Sequence, residues 1–164
     1  MLQLRAQSVV DTHAIASAIA GLARAGDVVV LAGEMGAGKT AFAQGFGAAL
    51  GVTDHMTSPT YNLVHSHRIG KLTLHHADLY RLSTQHEVAD LAFAELAEGD
   101  GIVIVEWGDV VGSTLGEHLL VELTVDDDPS GDPTGSRSLV VSAVGRAWAT
   151  RWDEVTRRLA AFAC

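Results

Sequence analysis

One continuous stretch, Val28 to Thr40, limits the fold of this chain more than any other part of the sequence. Its first five residues, VVVLA, are all apolar, which is typical of a strand buried on both faces of a parallel sheet. The next eight, GEMGAGKT, match the pattern G-x-x-x-x-G-K-[ST] at every fixed position, and AFAQGFGAAL follows with a helical composition. The stretch therefore predicts a strand, a phosphate-binding loop and a helix in direct succession.

The residue types of this loop suit a triphosphate. Glycines let successive backbone N–H groups point toward one anion, and the following helix adds unpaired donors and the positive end of its dipole. Lys39 would reach the β- and γ-phosphates, and the Thr40 hydroxyl would ligate Mg²⁺. A glycine-rich turn that binds nothing is the plainer alternative, but the flanking strand and helix favour phosphate binding. We expect the nucleotide to contact Gly33, Glu34, Met35, Gly36, Ala37, Gly38, Lys39 and Thr40.

A second buried strand ends in a carboxylate. Four β-branched residues, Ile102 to Val105, are followed by Glu106 and Trp107. Ligands of open α/β sheets lie at the carboxyl ends of the strands, so we expect Glu106 beside Thr40, where it would help to hold Mg²⁺. The alternative is that Glu106 merely ends a buried run.

The order of the elements predicts the fold class. We expect a three-layer α/β fold of the P-loop NTPase type, with a mostly parallel sheet, helices on both faces and additional antiparallel hairpin strands. The predicted strands 62–68 and 72–76 form one hairpin, and 118–125 and 138–144 are two further strands. With 164 residues and no clear internal boundary, residues 1–164 are expected to form a single domain.

Asp78 is a further candidate because it lies just beyond the predicted strand 72–76. At the level of the phosphates it would orient an attacking water or the water shell of the metal. Alternatively, it caps the next helix or pairs with Arg81. His65 and His67 share a face of the hairpin, so a metal site there is a weaker alternative to ordinary exposed histidines.

Three segments carry weaker candidates. Ser58 and Thr60 lie in SPTY, which is either a nucleotide-sensing switch or an ordinary turn before a strand. Thr12 follows the capping pattern S-V-V-D, in a helix that we expect to end at Gly26, and either caps that helix or approaches the nucleotide. Arg137 ends the polar stretch DDDPSGDPTGS and either approaches the nucleotide or is a plain surface arginine.

A last amphipathic helix is predicted from Ala147 to Phe162. Arg151 should lie away from its apolar stripe, which we expect in the core. The stripe consists of Trp148, Trp152, Val155 and Leu159.

The charge of the chain limits its partners. The formal net charge is −9 and the sequence pI is about 5.2. Such a field repels a phosphate backbone, so binding of nucleic acid by this chain alone is not expected. The single cysteine, Cys164, excludes an intramolecular disulfide, and we see no signal peptide and no apolar span that would cross a membrane.

Four motifs in one order resemble the TsaE family of P-loop ATPases in bacterial tRNA threonylcarbamoyladenosine biosynthesis. They are GEMGAGKT, SPTYNLV, HHADLYRL and IVEWGD, and the resemblance spans Ser8 to Asp109. It implies that the loop holds ATP, that Thr40 and Glu106 hold Mg²⁺, and that Asp78 is the acid linked to hydrolysis. In that reaction Lys39 would neutralise the charge that develops at the γ-phosphate, with Glu106 holding the metal. The role of Asp109 stays open. The resemblance further assigns Ser58 and Thr60 to the first switch, Trp107 to the position beside the acid, and Thr12 and Arg137 to the surroundings of the nucleotide.

The resemblance also implies partners. Members of this family are cytoplasmic ATPases of low intrinsic activity that join the threonylcarbamoyl-transferase subunit TsaD and its paralogous partner TsaB. Hydrolysis of ATP is expected to reset that complex, and tRNA would be held mainly by the partners.

Other functions remain as alternatives at this point. A small-molecule kinase usually has an arginine-bearing lid, and this chain has only 11 lysines and arginines with no such cluster. A GTPase is disfavoured because no N-K-x-D motif occurs. An ATP-gated interaction module, in which hydrolysis is incidental, fits the SPTY segment equally well.

Overall fold

A computed structural model describes residues 1–57, 64–79, 93–107, 115–126 and 135–164. Within these ranges the strands are β1 (Leu2–Ala6), β2 (Val28–Ala32), β3 (Val64–Ile69), β4 (Leu72–Asp78), β5 (Gly101–Trp107), β6 (His118–Val125) and β7 (Arg137–Val144). The helices are α1 (Val9–Ala20), α2 (Lys39–Leu50), α3 (Phe93–Ala97), α4 (Arg146–Ala149) and α5 (Trp152–Leu159), followed by a 3₁₀ turn at Ala160–Phe162.

The seven described strands form one sheet in the order β1-β7-β6-β2-β5-β4-β3. The four central strands, β6, β2, β5 and β4, are parallel to one another, whereas β1, β7 and β3 are antiparallel to their neighbours. The predicted α/β fold with a mostly parallel sheet and antiparallel hairpin strands is therefore confirmed. Strand β2 is buried at all five positions, as its apolar sequence predicts.

Two layers of apolar side chains cover the two faces of the sheet. The larger layer contains residues of α1, α2 and α5, such as Ile15, Phe42 and Val155, which are fully buried. The smaller layer, on the other face, contains Val103 of β5 and Ala97 of α3. Alternate residues of β5 therefore enter different layers, and Ile104 and Glu106 lie on the face that α2 covers.

The first helix is shorter than predicted. It starts at the N-cap Ser8, whose side chain accepts a hydrogen bond from the backbone N–H of Asp11, as the capping pattern predicts. It ends at Ala20, with Gly21 as its C-cap, so the expected end at Gly26 is wrong. Gly26 instead has a φ of 95° in the turn before β2, and its N–H donates to the carbonyl of Gly101. It thereby joins the starts of β2 and β5.

The last predicted helix is divided into α4 and α5, and Arg151 between them does not lie away from the core. Its guanidinium is buried and donates to both carboxylate oxygens of Asp27, at 2.7 and 2.8 Å. It also donates to the carbonyl of Leu22 and lies 4.1 Å from the ring centroid of Trp148. The prediction for Arg151 was therefore wrong, because its partner Asp27 is more than a hundred residues away in sequence.

The predicted apolar stripe does face the core. Trp148, Val155 and Leu159 are fully buried, and Trp152 is partly buried against them. Among the helices in the described ranges, none has the length and the apolar character needed to cross a membrane.

Candidate functional site

The phosphate loop occupies residues 33–38, between the end of β2 and the start of α2. Gly33 has a φ of 150°, and a Cβ at this position would lie 2.4 Å from the carbonyl oxygen of Leu123 on β6. Gly38 directly precedes α2 with a φ of 104°, a conformation that other residues rarely adopt. Both fixed glycines of the sequence pattern are thus required by the backbone.

Lys39, the first residue of α2, turns its side chain back over this loop. Its ammonium group donates to the carbonyl oxygens of Gly33 at 2.6 Å and Glu34 at 2.8 Å. Glu34 and Met35 are exposed, whereas Ala37 is buried in the large core. Lys39 therefore holds its positive charge beside the loop, whose backbone N–H groups the sequence predicts to bind phosphate.

Thr40 and Glu106 meet where the sequence places them. The Thr40 hydroxyl donates to Oε1 of Glu106 at 2.6 Å. The contact follows from the topology, because β5 is parallel to β2 and Glu106 lies opposite Leu31, just before the loop. Both side chains offer oxygen atoms, the ligand type that Mg²⁺ prefers in proteins, so the pair fits the predicted metal.

A third residue completes this arrangement, and the sequence reasoning missed it. Nε2 of His76 lies 2.5 Å from Oε2 of Glu106, and the side chain of His76 is fully buried. The available signal was the period of two along β4, which puts His76 and Asp78 on the same face of the sheet. Only the pairing of β4 with β5 shows that this face also carries Glu106.

Asp78 is the last residue of β4 and lies opposite Glu106 in the parallel register. The backbone N–H of Leu79 donates to the carbonyl of Glu106 at 2.9 Å, which ties the two strand ends together. The structure therefore brings Asp78 to the end of the sheet that also bears Glu106, Thr40 and Lys39.

Arg137 reaches the phosphate loop from the start of β7. Its Nε donates to the carbonyl of Ala37 at 2.9 Å, and its Nη2 to that of Gly36 at 3.3 Å. These contacts hold the outer side of the loop through its carbonyl oxygens. Arg137 is therefore not a plain surface arginine.

Of the four remaining predicted site residues, the structure describes Thr12 and Trp107. Thr12 is buried within α1, where its hydroxyl donates to the carbonyl of Ser8 four residues earlier, at 3.4 Å. The N-cap of this helix is Ser8, so Thr12 does not cap it. Trp107 ends β5 opposite Ala32, the residue before the loop. Ser58 and Thr60 lie outside the described residues.

The histidine-rich hairpin contains no metal-binding cluster among its described residues. No group of three or more His, Cys, Asp or Glu in the described ranges is arranged to hold a metal ion. Burial lowers the pKa of His67 below its ordinary value, with a further lowering by His76. The weaker metal alternative for the hairpin therefore has no support in this part of the chain.

A glycine-rich loop after a buried parallel strand, with Lys and Thr at the start of the helix and a carboxylate on the adjacent parallel strand, defines a protein of the P-loop NTPase type. Residues 6–133 match the family model described as "Threonylcarbamoyl adenosine biosynthesis protein TsaE". The chain belongs to the TsaE family.

Curated relatives and a solved structure agree with this assignment. The tRNA threonylcarbamoyladenosine biosynthesis protein TsaE of Bacillus subtilis is 33% identical over 150 residues, which are 90% of this chain and 89% of the relative. The protein of the same name from Streptomyces coelicolor is 37% identical over 134 residues, 80% of this chain and 90% of the relative. The crystal structure of B. subtilis YdiB superposes with a TM-score of 0.76 at 30% identity, covering 95% of this chain and 94% of that one.

Proposed function

We propose that this chain is the Mg²⁺-dependent ATPase subunit of the cytoplasmic machinery that makes threonylcarbamoyladenosine beside the anticodon of tRNA. Its ATP hydrolysis would reset the complex that it forms with the synthase subunits TsaD and TsaB. The observation that carries the proposal is the hydrogen bond of 2.6 Å between Thr40 and Glu106, directly beside the glycine loop and Lys39.

The chain's own groups would divide the work at the γ-phosphate. The backbone N–H groups of residues 33–38 and the Lys39 ammonium would bind the phosphates and stabilise the charge that develops on them. Thr40 and Glu106 would hold Mg²⁺, which when bound supplies further positive charge beside the phosphate oxygens. Asp78, at the end of the strand next to Glu106, would orient the attacking water.

Trp107 and Arg137 would complete the surroundings of the nucleotide. Trp107 ends the strand that carries Glu106, and Arg137 supports the carbonyl side of the loop. Thr12, Ser58 and Thr60 stay predicted nucleotide contacts on the resemblance alone.

The charge of the chain supports an indirect role toward tRNA. With a net charge of −9, this subunit would repel a polyanion, so the partners would supply the tRNA contacts. A P-loop protein that lacks a stabilising group hydrolyses its nucleotide slowly, and a partner can supply that group. We therefore expect weak ATPase activity alone and stimulation in the complex.

The test is ATP turnover by the purified chain, with and without TsaD and TsaB. We expect slow turnover alone, a rise in the presence of both subunits, and loss of turnover in Lys39→Ala. Lys71→Ala, which removes the exposed lysine of the β3–β4 turn, is the matched control and should keep its activity. Unchanged turnover by Lys39→Ala would contradict the site, and the absence of stimulation would contradict the partnership.

A further inference from the structure

His76 is an unusual residue for its position. It lies on β4 between Leu74 and Asp78, at the edge of the apolar layer that contains Leu74 and Ile104, and none of its surface is exposed. Burying an imidazole in such a place costs free energy unless it is hydrogen-bonded. Its described bond is to Oε2 of Glu106.

The carboxylate of Glu106 is therefore held from two sides. Thr40 donates to Oε1 at 2.6 Å, and His76 lies 2.5 Å from Oε2. A carboxylate accepts hydrogen bonds, so Nε2 of His76 carries the proton of this contact. Nδ1 has no partner among the described residues, so Glu106 is the one group that this ring is seen to orient.

We propose that His76 is the positioning residue of the metal-site carboxylate. Its N–H fixes the rotation of the Glu106 side chain, so that Oε1 faces Thr40 and stays available to the ion. This inference rests on the proposed function, because it assigns a role to His76 only if Thr40 and Glu106 hold Mg²⁺. Groups that orient a ligand of a metal commonly contribute a factor of about 10–100 to the affinity for that metal.

Packing and stability alone do not explain why a histidine stands at this position. A buried polar pair is weak evidence for stability, since apolar side chains of similar volume commonly replace it without loss. A strand residue opposite Ile104, in a layer of leucine, isoleucine and phenylalanine, would be apolar if packing were its only task. The position of His76 is better explained by the orientation of Glu106.

Two amide substitutions separate positioning from packing. In His76→Gln the side-chain amide nitrogen takes the place of Nε2 and can still donate to Glu106. In His76→Asn the shorter side chain puts its amide nitrogen at the position of Nδ1, from which it cannot reach Glu106. Both variants bury an amide at the same position, so they differ mainly in the reach of the donor.

The measurement is the binding of a fluorescent, non-hydrolysable ATP analogue during a magnesium titration. We expect the midpoint of the magnesium dependence to rise about tenfold or more in H76N and to stay within about threefold of the wild type in H76Q. Binding in EDTA should be the same in all three proteins, because the loop itself is unchanged. Circular dichroism checks the folding of each variant, and His76→Leu replaces H76N if that variant does not fold.

The outcomes distinguish the inference from the proposed function. If magnesium strengthens binding by the wild type and all variants share its midpoint, the role of His76 is refuted while the proposed function stands. A midpoint in H76Q that is shifted as far as in H76N also refutes it, because the retained donor should restore the carboxylate. If the wild type binds no analogue, or binds it without regard to magnesium, the proposed function itself fails.

Discussion

Thr40 and Glu106 are separated by 66 positions in sequence, yet a hydrogen bond of 2.6 Å joins their side chains. Thr40 is the second residue of α2, and Glu106 is the last but one residue of β5. The contact arises because β2 and β5 are parallel neighbours, so the loop after β2 and the end of β5 meet at one edge of the sheet. The proposed activity depends on this pair.

Thr40→Val removes the hydroxyl and keeps the shape of the side chain, so we expect ATP turnover with TsaD and TsaB to fall by a factor of about 100 or more. Thr40→Ser keeps the hydroxyl and should retain turnover within about tenfold. Steady-state phosphate release measures both. Equal turnover in the two variants would show that the hydroxyl is not used.

Arg137→Ala should weaken the binding of ATP because the carbonyl side of the loop loses two donors, at Ala37 and Gly36. A net contribution of about 1 kcal/mol for each hydrogen bond corresponds to a loss of affinity of roughly tenfold or more. Arg137→Lys can replace only one contact and should fall in between. Calorimetric titration with ATP measures the change, and wild-type affinity in R137A would remove Arg137 from the site.

The buried pair of Arg151 and Asp27 should hold the C-terminal helices against the turn before β2. Arg151→Met leaves a buried carboxylate without its cation, so we expect a loss of about 3–5 kcal/mol in the free energy of unfolding. Asp27→Asn combined with Arg151→Met should cost less than the sum of the single changes. Urea denaturation measures all three.

The exposed pair of Arg157 and Glu154 on α5 is the control for that experiment. Arg157→Ala should change the stability little, because surface ion pairs contribute little in water. If R151M is as stable as R157A, the interpretation of Arg151 as a structural anchor is wrong.

The ionisation of Asp126 should make the free energy of unfolding depend on pH. The hydroxyls of Ser138 and Ser136 donate to its carboxylate, at 2.5 and 2.7 Å, and together with nearby Arg5 they lower its pKa. Because the pKa of Asp126 is lower in the folded protein, the stabilisation by its carboxylate is complete above the ordinary pKa near 4. It is lost as the pH falls through the pKa of the folded protein.

The variant Asp126→Ala tests this dependence. At pH 6 we expect it to be less stable than the wild type by roughly 1–2 kcal/mol, because the charged hydrogen bonds are lost. The difference should shrink as the pH falls from 5 to 2, since the wild-type carboxylate is then protonated. Denaturant unfolding over this range measures it, and a constant difference would contradict the role of Asp126.

The sequence predicts the loop, its strand and Glu106 well because these features are encoded locally. The apolar run of β2 and the glycine pattern identify the strand and the loop that follows it. The parallel sheet then brings Glu106 to the edge at which this loop lies. His76 was missed because no motif in the sequence indicates that β4 pairs with β5 and so brings His76 to Glu106.

The wrong prediction for Arg151 has the same physical origin. Arg151 reads as an exposed residue of an amphipathic helix, and only the folded chain shows that Asp27 draws it inward. Thr12 lies inside α1 rather than at its cap, and the nucleotide contact expected of it stays a prediction. Composition and hydrophobic periodicity do not indicate which polar groups pair when they are far apart in the sequence.

Calorimetry of a non-hydrolysable ATP analogue, with Mg²⁺ and with EDTA, tests the central claim most directly when it is applied to the wild type and to Glu106→Gln. The wild type should bind with an affinity that falls at least tenfold when Mg²⁺ is removed. Glu106→Gln should bind with nearly the same affinity in both conditions, because the charged ligand of the ion is gone. Equal magnesium dependence in the two proteins, or no binding by the wild type, would contradict a nucleotide and metal site between the loop and Glu106.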